Sequence, residues 1–277
     1  MRPRRPGWPL TVGRLLDLSG RAVIRAPGVM VGWPALAYGA AAGLTYGVSR
    51  LAGAGWTWLV WAVAATAATS LVAGTQVMHA APGFPGADPS LASRGRDRWR
   101  TTAVVWLLAA MLVPLVPFVW VTPWYWHIIM TTPSGSDVED MRPVSMMALG
   151  PVSLVALVVA VVLVVKFAQA LPAAACESIS PGQALTRAST LAPYRGSFAL
   201  LGVIGPSSLV LVVALLVVKS AWQVPFGLAL AAGSWLVLML VEPLASALVA
   251  GLYLDARRLE YDRYLAWSRR GEPTGWV

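Results

Sequence analysis

Between Met147 and Ala170 the chain reads MALGPVSLVALVVAVVLVVKFAQA, with Lys166 as its one charge. Wound as a helix at about 1.5 Å per residue, such a run crosses the roughly 30 Å hydrocarbon layer of a bilayer. A helix that is apolar all round needs either lipid or a large protein interior to cover it. Composition decides between the two. Hydrophobic residues make up 57% of the 277 residues, charged residues 12%, and the mean hydropathy is +0.67. Soluble domains carry about 25% charged residues, so this chain has too few polar groups to coat a surface in water.

The same pattern predicts six spans. They are Gly28–Val48, Trp56–His79, Thr101–Val121, Met147–Ala170, Ser197–Val218 and Val224–Leu252. The fold class expected is all-α, a polytopic membrane protein of six transmembrane helices arranged as three hairpins, with cytoplasmic interfacial helices. Residues 1–27 form a basic amphipathic segment, 28–252 the membrane domain, and 253–277 a charged helix and tail. In the first segment Val12, Leu15, Leu16, Ala22 and Val23 recur at helical spacing, opposite Arg14, Asp17, Arg21 and Arg25. That arrangement suits a helix lying at the head groups. Gly39, Gly43 and Gly47 make a small-residue stripe on the first span, and AVAATAATS in the second is almost all small. These two spans are expected to pack closely. Pro27 and Pro34 set the entry and a kink.

Orientation follows from the basic residues. Place the N-terminus, the 82–100 loop, the 171–195 loop and the C-terminus on one side. That side holds every Lys and Arg except Arg50, Arg142 and Lys219, while Asp137, Glu139 and Asp140 fall opposite. By the positive-inside rule the first side, with both termini, is cytoplasmic. The net charge of +9 lies at the ends of apolar runs. It points to anionic head groups as the partner and not to nucleic acid. Asn is absent and Lys occurs at Lys166 and Lys219 alone. This bias is that of a GC-rich genome and suggests a bacterial plasma membrane.

The 171–195 loop carries its own helix signal. Ser180 caps, Pro181 sits at the first helical position and Gln183 at the capping-box position, followed by Ala184, Leu185, Ala188 and Leu191 as one apolar stripe. This stretch, from Glu177 through Ser180-Pro181, Ala184-Leu185 and Arg187, resembles a motif of a large group of bacterial six-span proteins of unassigned function. Tyr253, Asp255, Arg257 and Glu260 after the last span resemble a second motif of that group. The group is similar to the membrane domain attached to some glycerophosphoryl diester phosphodiesterases. The resemblance covers roughly residues 166–262 and implies a fold and topology. It does not imply hydrolase activity, because the catalytic barrel takes about 250 residues and no stretch here matches it.

Glu242 is the sharpest single feature. A carboxylate inside a span costs a few kcal/mol on the most lenient scales (about 3), so it needs a partner, a proton or water. Lys166, at matching depth, is one expected partner; Ser, Thr or Gln169 on a neighbouring helix is the other. The pair reads either as an ion, proton or substrate site or as a contact that fixes packing beside Pro243. At the cytoplasmic side, Glu177, Arg187, Asp255, Arg257, Arg258 and Glu260 form a candidate docking cluster. They read equally as a solvated membrane-exit helix with ion pairs such as Asp255 with Arg258. His79 and His127 fall on opposite membrane faces, Cys176 is the one cysteine, and the chain has no pattern for a metal, nucleotide or other cofactor. The function expected is therefore a non-catalytic scaffold or accessory subunit in envelope, lipid or transport processes, with protein partners taken at the cytoplasmic helices. The alternative is a transporter or permease subunit with its polar site at Glu242. An intramembrane enzyme ranks last.

Overall fold

The computed structural model describes residues 10–52, 57–85, 87, 98–115, 118, 142–177, 179–191 and 226–268. Helix is the only regular structure among them. In chain order the helices are α1 (Val12–Arg25), α2 (Trp33–Ala52), α3 (Thr57–Ala80), α4 (Arg98–Leu112), α5 (Arg142–Phe167), α6 (Ala170–Glu177), α7 (Pro181–Leu191) and α8 (Phe226–Ser268). Three stretches among the described residues are long and apolar enough to cross a membrane: Leu59–Gly83, Pro151–Glu177 and Ala231–Asp262. They correspond to the second, fourth and sixth expected spans. The first expected span is also helical, through α2 and the turn before it. The third is described in part, and the fifth lies outside the described residues.

Burial separates the helices by role. Half of the apolar window of Leu59–Gly83 is buried, as is 47% of that of Ala231–Asp262, but only 17% for Pro151–Glu177. Leu154, Val155, Leu157 and Val158 of α5 are all exposed among the described residues. An apolar face of this extent is not stable in water and is what lipid covers. The protein's own core lies elsewhere. Val77 and Ala80 of α3, Phe84, Ala173 of α6, Ala184 and Ala188 of α7, and Ala247–Leu254 of α8 form one buried cluster.

Helix α1 starts where Thr11 Oγ1 accepts the Arg14 N–H at 3.4 Å. Asp17 pairs with Arg14 and Arg21 on its outer side. Leu15, Ser19 and Ala22 are buried, and α1 packs on α8. The amphipathic helix of the sequence reading is present, but its buried ridge is narrower than expected: Val12 and Leu16 stay exposed, because the ridge seats mainly on α8, with lesser contact to α3 and the turn that follows it.

Helices α2 and α3 pack as their small residues predict. Tyr38 and Ala41 meet Ala64 and Ala68, and the Tyr38 hydroxyl donates to Thr69 Oγ1 at 2.9 Å. The glycine stripe takes less part than its spacing suggests. Gly39 lies against the Trp235 indole, whereas Gly43 and Gly47 face open space. The glycine that a close approach requires is Gly74 on α3. A Cβ there would lie 2.9 Å from the Thr101 Cβ of α4. Gly74→Val is expected to destabilise the protein by about 1–3 kcal/mol, read as a lower thermal midpoint in detergent. Gly43→Val, which meets nothing, is the matched control and leaves that midpoint nearly unchanged.

Proline explains the start of α2. Residues Gly28–Gly32 form one wide π turn before Trp33. Pro34 has no N–H to give the Met30 carbonyl four residues back. Gln76 of α3 replaces that donor: its Nε2 donates to Met30 O at 2.9 Å. A kink that the sequence predicts is thus also the contact that fixes a buried amide between two helices.

Candidate functional site

Helix α8 runs unbroken for 43 residues, about 65 Å at 1.5 Å per residue. That is roughly twice the hydrocarbon thickness, so the helix passes from the apolar layer into the charged segment with no break at residue 252. Its exit carries the ionic residues into reach of α6 and α7. Helix α7 is positioned for this by its cap. Gln183 Oε1 accepts the Ser180 N–H at 3.1 Å, and Ser180 Oγ accepts the Gln183 N–H at 3.4 Å. Ala184 and Ala188 are fully buried on its inner side, which turns Arg187 toward α8.

The structure draws the six residues of the expected cytoplasmic cluster into two neighbouring sets on α8, a four-residue net around Arg187 and Glu177 and a pair at Asp255. Arg187 makes a two-pronged contact with Glu260: Nη1 donates to Oε1 at 2.8 Å and Nη2 donates to Oε2. Its Nε lies 3.5 Å from Glu177 Oε2, and Arg257 Nε lies 3.7 Å from Glu177 Oε1. One turn away, Arg258 Nη2 donates to Asp255 Oδ1 at 2.8 Å. Asp255 Oδ2 accepts the backbone N–H of Leu10, also at 2.8 Å. The Glu260 carboxylate, bonded to Arg187, holds the guanidinium above its ordinary range. Three arginines face three carboxylates, so the two sets together carry no net charge. They act as a clamp that joins the segment before α1, the α6–α7 hairpin and the end of α8. Outside it, Arg187, Arg257, Glu260, Tyr261 and Tyr264 line a shallow groove of about 350 Å³, with both tyrosines exposed.

Two of these contacts were not read from the sequence. Leu10 contributes a main-chain N–H, which no side-chain pattern reveals. Tyr253, buried one turn before Arg257, lies beside Glu177 and Cys176; the sequence offers it as a motif residue but does not place it against α6.

The intramembrane site is corrected by the structure. Lys166 does not pair with Glu242. It is exposed on α5, with its ammonium 5.5 Å from the Phe167 ring centroid. The reason is the peripheral place of α5: its outward face meets lipid, and a long cation there reaches for the interface. Gln169 is not the partner either. It is buried at the α5–α6 junction, and its side-chain nitrogen and oxygen take no partner. Glu242 instead lies with α2 and α3. Its Oε1 accepts the Ser246 hydroxyl at 3.1 Å, the Gln76 amide lies against it, and Tyr38 is within electrostatic reach. Its Oε2 is shielded from solvent and has no donor. Gln76 was missed because it closes an apolar span near His79, where an amide reads as an interfacial residue. The available signal was Pro34, which frees the carbonyl that Gln76 holds.

Among the described residues no three His, Cys, Asp or Glu side chains gather where they could hold a metal ion. His79 is exposed, with its Nδ1 2.9 Å from the Thr75 carbonyl one turn earlier; His127 lies outside the described residues. No family model matches the chain, and neither a curated protein nor a solved structure is significantly similar to it.

Proposed function

We propose that this chain is an integral protein of a bacterial plasma membrane, with six spans in three hairpins and both termini cytoplasmic. It serves as a non-catalytic scaffold or accessory subunit in envelope, lipid or transport processes. Kinship with the six-span group that its motifs resemble belongs to this reading. The observation that carries it is the ionic clamp. Arg187 with Glu260, Glu177 with Arg257, and Asp255 with Leu10 and Arg258 hold three separate chain segments in one preorganised surface. Its rim presents Arg257, Tyr261 and Tyr264. Exposed tyrosine and arginine on a rigid support are the residue types that dominate protein interfaces, and rigidity lowers the entropic cost of binding.

Two measurements test this. In a Cys176→Ala background, Ser93→Cys and Ser268→Cys are expected to resist a membrane-impermeant thiol reagent in intact cells and to react after permeabilisation. Labelling of either from outside overturns the orientation. A photo-crosslinking residue placed at Tyr261 or Tyr264 is expected to give a discrete heavier adduct in cells, while the same residue at lipid-facing Leu157 gives none. Identical patterns at all three positions overturn the scaffold reading.

A second reading, a transporter or permease subunit, is favoured by one observation. Glu242 keeps a buried carboxylate oxygen without a donor inside a candidate span.

A further inference from the structure

The hydrogen-bond inventory around Glu242 is unbalanced in one direction. The donors nearby already have acceptors. Ser246 O–H goes to Glu242 Oε1. Thr69 O–H goes to the Ala65 carbonyl at 2.9 Å, which makes Tyr38 the donor in its bond to Thr69. One N–H of Gln76 goes to Met30 O. The acceptors are in excess. Glu242 Oε2 and Gln76 Oε1 are both shielded from solvent and take no donor. Ser246 Oγ keeps its lone pairs. Pro243 adds a fourth, by the same chemistry that Pro34 shows at Met30: it has no N–H for the Met239 carbonyl, one turn back. Met239, Glu242 and Ser246 are spaced i, i+3, i+7 and so share one face of α8. The second N–H of Gln76 turns toward the Glu242 carboxylate, and the four acceptors named have no further donor among these residues.

Oxygens in excess of hydrogens, around one carboxylate inside an apolar layer, are what a cation needs. Its charge follows from the residues. A single carboxylate balances one positive charge, whereas a divalent ion would leave a net charge at a depth where charge is costly. A proton shared between Glu242 Oε2 and Gln76 Oε1 serves those two atoms but gives nothing to the Met239 carbonyl or Ser246 Oγ. A water supplies hydrogens but leaves the carboxylate charge uncompensated. We propose that Glu242 and Gln76, with the Met239 carbonyl and Ser246, form a binding site for one Na+-sized monovalent cation between α8 and α3.

The site holds for a scaffold and for a transporter alike, since binding is measured without flux. The test is equilibrium binding of radiolabelled Na+ to the purified full chain in detergent, with choline chloride keeping the ionic strength constant. One saturable site per chain is expected, competed by Li+ and not by choline. Glu242→Gln is expected to weaken binding by about a hundredfold or more, the scale of removing a buried charge partner. Gln76→Leu is expected to weaken it about tenfold. Asp17→Asn, on the outer side of α1, leaves it unchanged. Each variant is checked for a single monodisperse peak. Should the span variants fail to fold, the unmodified chain decides: absence of saturable Na+ binding overturns the proposal. Unaltered affinity in a folded Glu242→Gln protein overturns it too. So does a thermal midpoint that responds to pH but not to Na+, which assigns the oxygens to a proton alone.

Discussion

Asp255→Ala is expected to lower stability by about 2–4 kcal/mol and to release the segment before α1 from the last helix. The carboxylate is fully covered, and each oxygen has a partner: Leu10 N–H at one and Arg258 at the other. Removing it leaves a buried main-chain N–H without its acceptor, which costs about 1–3 kcal/mol by itself, and takes a counter-charge from Arg258. The lower part of the range for buried ion pairs applies because 24% of the Arg258 side chain is exposed and water takes up part of the loss. Asp255→Asn keeps one acceptor oxygen and is expected to cost about half as much. Thermal unfolding in detergent gives the energies. Limited trypsin digestion gives the location, because Arg14 and Arg21 of α1 become cleavable once the segment lifts. Unchanged midpoint and digestion in Asp255→Ala would show that the N-terminal segment is held by the Leu15–Ala22 ridge alone.

Gly251→Leu is expected to cost about 2–4 kcal/mol. A Cβ on Gly251 would lie 2.7 Å from Phe84 Cζ, well inside contact distance. The Phe84 ring cannot swing away freely. It is 4% exposed, and its backbone N–H is fixed to the Ala81 carbonyl at 3.0 Å. Two effects oppose each other in the smaller change Gly251→Ala. Helix propensity favours alanine by about 1 kcal/mol, and overpacking disfavours it by about 1–3 kcal/mol. Overpacking wins while Phe84 is present. In a Phe84→Ala background the ring is gone, so the same Gly251→Ala change is expected to become neutral or stabilising by up to about 1 kcal/mol. A sign that does not change between the two backgrounds would remove Phe84 from the account.

What the sequence made legible was local. The α7 cap follows from Ser180, Pro181 and Gln183 standing in order, because each acts within one turn. The kink at Pro34 follows from the missing N–H. The cytoplasmic cluster could be named because its residues crowd the two ends of apolar runs, where charges have few places to go. What failed was pairing at a distance. The sequence puts Lys166 and Glu242 at one depth, but depth gives no azimuth, and Lys166 is exposed on α5 while Glu242 lies with α2 and α3. The glycines failed likewise. Gly43 and Gly47 have the spacing of a contact stripe, yet the close approaches fall at Gly74 and Gly251, outside that glycine stripe. Which glycine is crowded depends on which side chain arrives from another element, here Thr101 of α4 and Phe84 of the bend after α3, and nothing in the spacing encodes that.

The unbroken length of α8 makes it a lever. From Pro243 to Ser268 the axis extends about 38 Å, so a bend of 10° at the proline displaces the far end by roughly 6–7 Å. Glu260 and Asp255 ride on that arm and grip Arg187 and Leu10. A small change of angle within the lipid layer would therefore reach the aqueous phase as a movement of about 3 Å at Asp255 and about 4–5 Å at Glu260, the two points where the α7 hairpin and the start of the chain are held.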